Sequence, residues 1–85
     1  MKTTVKTING SHGLTATLKR HLIAVVESGN KKYFGVRLKV NRTKMMVEEL
    51  GENKYKVTEF VKQINLLAEG FYETELVNEV QLITK

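Results

Sequence analysis

Seven side chains suited to holding an anion fall within fourteen residues: Lys31, Lys32, Tyr33, Arg37, Lys39, Arg42 and Lys44. Six are cations able to neutralise phosphates, and the tyrosine among them offers a ring on which a base can stack. The pattern predicts capture of a polyanion, with nucleic acid as the first expectation. A plainer reading uses the same lysines to discourage edge-to-edge strand pairing. Covalent chemistry has less to draw on. His12 sits beside Ser11 in a Ser-His-Gly turn, but spacing alone does not make adjacent residues a nucleophile and its base. His21 lies at the edge of an apolar helical arc and suits a partly buried structural role, and two isolated histidines make no metal site. The nine glutamates show no catalytic pairing. A non-enzymatic protein with no cofactor, no metal and no evident small-molecule substrate is expected.

Composition supports these exclusions. With no Cys there are no disulfides or thiolate zinc sites, and with no Asp there are no aspartic dyads or EF-hand loops. Pro and Trp are also absent. The net charge of +5 is unevenly placed. Residues 1–44 carry ten cations and one anion, Glu27, whereas residues 45–85 carry four cations and eight glutamates. Such asymmetry gives a dipolar surface field wherever the halves do not interleave. No segment has the apolar core of a signal peptide, because Lys19, Arg20 and His21 interrupt the best candidate. No stretch is long enough to span a bilayer. A cytoplasmic protein without membrane contact is expected. A short chain that starts at Met and lacks linkers also fits, by association alone, a phage or mobile-element product.

The elements that must position the basic residues follow from punctuation and periodicity. Residues 2–8 are rich in Thr and Val and predict a strand. Leu14, Leu18, Leu22, Val25 and Val26 recur at helical spacing, so residues 14–28 predict a helix, with Thr15 as N-cap and Ser28-Gly29-Asn30 as stop. Residues 32–40 alternate: Phe34, Val36, Leu38 and Val40 on one side, Tyr33, Gly35, Arg37 and Lys39 on the other. A four-residue loop, Asn41-Arg42-Thr43-Lys44, then leads into a second strand of the hairpin, MMVEEL, and Gly51-Glu52-Asn53-Lys54 makes another turn. Val57, Phe60, Val61, Ile64, Leu67 and Ala68 share a helical arc, predicting a second helix over 57–69 that Gly70 ends. Residues 71–85 fit a strand or a helix, and their β-branched content favours the strand.

The resulting β-α-β-β-α-β order predicts one α+β domain over residues 1–85, a ferredoxin-like sandwich with two helices on one face of an antiparallel sheet. Ile23 and Leu66 fall on the polar sides of the two helices. If the helices lie side by side, these residues join Ala16 and Ala24 in an apolar patch for a homodimer or a partner protein.

Two nucleic-acid motifs compete with these elements. In KKYFGVRL, Lys31, Tyr33 and Val36 match the RNA-recognition signature, but Lys32, Phe34, Gly35 and Leu38 do not, so the family is not assigned. In TKMMVEELGENKYKVTEFVKQI, Met46, Leu50, Gly51, Val57 and Phe60 occupy helix-turn-helix positions, opposed by Val47 and four glutamates. The expectation is therefore a small nucleic-acid-binding protein. Five phosphate contacts would weaken its affinity about 500-fold between 50 and 200 mM salt. Reversing Arg37 and Lys39 to Glu is expected to abolish binding without unfolding. The alternative is a protein-interaction module, an inhibitor or adaptor that docks on an acidic partner or forms a homodimer.

Overall fold

A computed structural model of the chain describes residues 2–10, 13–65 and 70–85. Five strands form one antiparallel sheet: β1 (Thr3–Gly10), β2 (Leu38–Val40), β3 (Thr43–Gly51), β4 (Lys54–Asn65) and β5 (Gly70–Thr84). Their order is β1-β5-β4-β3-β2. Strands β2 to β5 are a meander, and β5 returns to pair with β1. β1 and β2 therefore run in the same direction at opposite edges. Helix α1 (Ala16–Ser28) carries the chain back between them.

Local chemistry sets the ends of α1. The Thr15 hydroxyl accepts from the Leu18 amide, satisfying one of the free donors of the first turn. Gly29 closes the helix at φ +69°, where a side chain would be strained. Between these caps Leu18, Leu22 and Val25 are buried. Leu18 and Leu22, together with Leu14, cover one sheet face, meeting Val40, Met45, Val47, Tyr55, Val57, Val80 and Leu82. Leu22, Met45, Val47, Val57 and Val80 have no exposed surface, and each such side chain contributes on the order of 1.5–3 kcal/mol. Among the described residues, no helix covers the other face.

Several expectations change here. The fold is not a ferredoxin-like β-α-β-β-α-β sandwich, because the described residues form one α-helix and five strands, with strand where the second helix was expected. Residues 57–65 belong to β4, and residues 66–69 lie outside the described residues. The error has a physical cause. The middle of β4 is buried on both faces: Val57 points at α1, while Thr58 and Phe60, only 6% and 4% exposed, point the other way. A strand buried on both sides loses its alternation, and its apolar run then matches a helical arc by accident. The helix-turn-helix reading fails for the same reason. Gly51 closes a tight β3–β4 hairpin through Glu52 and Asn53, with Asn53 at φ +59°.

The predicted strand over 32–40 is also largely replaced. Asn30 accepts from the Lys32 amide and caps a 3₁₀ turn at Lys31–Tyr33, and Gly35 adopts φ +78°. Only Leu38–Val40 pairs as β2. The following loop is two residues, not four: Val40 pairs with Thr43, Asn41 turns the chain at φ +56°, and the Thr43 hydroxyl donates to the Val40 carbonyl. The strand reading of 71–85 corresponds to β5. No helix among the described residues is long and apolar enough to cross a membrane.

Candidate polyanion-binding groove

Directly paired residues of an antiparallel sheet share a face. On the face away from α1, register therefore aligns Lys39 with Lys44, then Phe60, then Glu75 across β2, β3, β4 and β5. The next row holds Lys62 opposite Glu73. Arg42, in the two-residue turn, comes to the same end of the sheet. These residues border a shallow groove of about 610 Å³ lined by Lys39, Asn41, Arg42, Thr43, Lys44, Phe60, Lys62 and Glu73.

Arg37 roofs the groove's apolar floor. Its guanidinium carbon lies 4.1 Å from the centre of the Phe60 ring, and its Nη1 donates to Glu73 Oε1 at 3.1 Å. The arginine plane is thus stacked on one side and tethered at one edge, which fixes it at little further entropic cost. Phe60 is almost wholly covered and has no face left for a ligand ring. Any stacking in the groove falls to the outer face of Arg37.

The four remaining cations of the groove form no ion pair among the described residues, although Lys62 stands opposite Glu73 in register. Among the described residues, ion pairs join Lys31 to Glu49 and Arg37 to Glu73, and Lys39, Arg42, Lys44 and Lys62 form none. Lys39 and Lys44 stand directly opposite each other, an arrangement that destabilises a sheet. Nearer the middle of the same face, Lys56 lies between Glu48 and Glu79 in register, so its neighbours complement its charge, as those of Lys39 and Lys44 across β2 and β3 do not.

The basic stripe of the sequence is thereby divided. Arg37, Lys39, Arg42 and Lys44 converge on the groove. Lys31 lies on the opposite face, its ammonium 2.8 Å from Glu49 Oε1 and 5.1 Å above the Phe34 ring, which stacks on Tyr55. Lys32 and Tyr33 are exposed on the same 3₁₀ turn. Glu49 and Lys44 are five residues apart on β3, about 17 Å, so Tyr33 does not join the groove as a stacking ring. The split follows from Gly35, whose left-handed turn breaks the strand that would have aligned all seven residues.

Lys62 and Glu73 enter the site with no sequence signal of their own, and Phe60, which the sequence placed on a buried helical arc, enters it from a strand. The β-branched Val57, Thr58, Val61 and Ile64 were the available signal, because they favour a strand over the helix predicted there. Ile23 of the expected interhelical patch is half-buried and packs against the core, Leu66 lies outside the described residues, and residues 57–65 of the helix expected to carry Leu66 are strand. Among the described residues no group of three or more His, Cys, Asp or Glu converges. No protein-family model, curated protein or solved structure matches the chain.

Proposed function

We propose that the protein binds nucleic acid through its phosphate backbone, with Lys39, Arg42, Lys44 and Lys62 as the phosphate contacts and Arg37 as a preorganised guanidinium plane beside them. The observation that carries this reading is the Lys39–Lys44 pair, two cations held opposite each other and, among the described residues, joined to no carboxylate in an ion pair. A bound phosphate strand removes that repulsion and releases counterions, so binding strength and salt sensitivity rise together. Base contacts have no built pocket in the groove, and weak sequence preference follows.

The test is fluorescence anisotropy with mixed-sequence duplex DNA, single-stranded DNA and RNA at 50 and 200 mM salt. Four phosphate contacts give a loss of about 150-fold on duplex DNA over that range, and about 50-fold on single strands. The double substitution Lys39→Glu/Lys44→Glu is expected to abolish binding, whereas Lys31→Glu, on the opposite face, leaves it within about twofold. Reversal of Arg37 is not a clean test of binding, because it also uncovers Phe60 and breaks the contact with Glu73. Absence of binding at 50 mM salt, or equal loss from Lys31→Glu, refutes the assignment.

A further inference from the structure

The two edges of the sheet differ. β2 offers only three residues and carries Lys39, a short charged edge of the kind that resists pairing. β1 is eight residues long. Lys2 and Lys85 exchange both backbone hydrogen bonds, at 2.9 and 3.0 Å. Antiparallel alternation then makes Thr4–Ile83 and Lys6–Gln81 the bonded pairs. The N–H and C=O groups of Thr3, Val5 and Thr7 consequently point away from β5. The 3.1 Å contact between the Thr3 and Thr84 hydroxyls fits this alternation, since side chains approach most closely at non-bonded pairs. Among the described residues no other element bonds to these six outward groups. A register shift between Thr7 and Asn9 ends the regular edge.

The side chains of Thr3, Val5 and Thr7 face the helix side, where α1 flanks the edge. A shallow cavity of about 460 Å³ lies there, with an apolar floor of Val5, Ala16 and Ile23 and with Lys2, Lys19 and Arg20 among its lining. No carboxylate lines it. We propose that the outer edge of β1 receives an extended acidic segment of a partner protein as a sixth strand. One apolar side chain of that segment rests on Val5, Ala16 and Ile23, and neighbouring carboxylates meet Lys19 and Arg20. Backbone bonds supply the docking and the cationic flank supplies the selectivity. A second copy of this chain fits poorly, because it would bring Lys19 and Arg20 towards their own duplicates. Nucleic acid fits poorly as well, since half of the outward backbone groups are carbonyl acceptors that repel phosphate.

The experiment uses the full chain, labelled with ¹⁵N, and the acetylated, amidated peptide Thr-Glu-Thr-Val-Thr-Glu-Thr, which in an extended form presents Glu, Val and Glu on one side. Hydrogen exchange is expected to slow on binding at the amides of Thr3, Val5 and Thr7, and to stay unchanged at Thr4 and Lys6, which already bond to β5. Of the backbone groups, Val5→Pro deletes an outward donor alone, and with it the valine side chain of the floor, so the β1–β5 ladder survives while peptide binding is lost. Should Val5→Pro unfold, Lys19→Glu/Arg20→Glu decides, with an expected loss of about tenfold or more. The proposal is overturned if the three amides exchange unchanged, or if a folded Val5→Pro binds like the native chain. It is equally overturned if a lysine-for-glutamate peptide binds as tightly, if an oligonucleotide protects the same amides, or if they become protected at high protein concentration without peptide.

Discussion

Lys44→Glu is expected to make the protein more stable and a weaker binder at once. In the native sheet Lys44 faces Lys39 directly across β2 and β3, and both are exposed. The substitution exchanges a repulsive cross-strand pair for an attractive one. Each such pair is worth a few tenths of a kcal/mol at an exposed site, so the swap gains about 0.5 kcal/mol. For a domain of this size that raises Tm by about 2–4 °C. The gain shrinks as salt screens it. Lys39→Glu produces the same change from the other side, and the double substitution restores a like-charge pair, so its Tm falls back towards the native value. This sign reversal in a double-mutant cycle isolates the pair from any general effect of lowering net charge. Binding moves the other way. Losing one phosphate contact reduces the salt slope by about 0.9, so the drop between 50 and 200 mM on duplex DNA shrinks from about 150-fold to about 40-fold. Thermal unfolding by circular dichroism at 20 and 500 mM salt, with anisotropy on the same four proteins, measures both quantities. If Lys44→Glu lowers Tm at low salt, or the double substitution is the most stable of the four, the cross-strand electrostatics are wrong. If Tm rises while affinity and salt slope are unchanged, the groove is not the binding site.

Three further outcomes test the scaffold. Arg37→Ala should destabilise by about 1–2 kcal/mol in urea unfolding, since it removes both the plane over Phe60 and the contact with Glu73; an unchanged midpoint would mean that Arg37 does not hold the groove floor. Gly10→Ala should cost about 2 kcal/mol or more, because a β-carbon there collides with the carboxamide of Asn78, which is 1% exposed and accepts from the Gly13 amide; native stability would mean that β1 does not approach β5 so closely. Leu22→Ala, at the centre of the face that α1 turns to the sheet, should cost about 2–5 kcal/mol. A smaller loss by chemical denaturation would show that the helix packs less tightly than its burial indicates.

The groove and the sheet were legible to different degrees, because their determinants act over different distances. Short-range chemistry alone delimits α1: Thr15 before an apolar stripe of period 3.6 and Gly29 after it specify a helix whatever surrounds them. Asn41 and Asn53 mark the turns of the β2–β3 and β3–β4 hairpins in the same way, through conformations their own side chains tolerate. Composition, too, excludes disulfides and thiolate metal sites with no reference to the fold. The nature of residues 57–65 was not settled locally. A strand covered on both faces and a helix with a broad apolar arc produce similar patterns, and pairing with β3 and β5, over separations that the local pattern does not record, selects the strand. That selection also decides the site. It carries Lys62 and Phe60 beside Lys39 and Lys44, while Gly35 sends Lys31 to the opposite face. The cations themselves are written in the sequence; which of them act together depends on strand register, a property of the whole sheet.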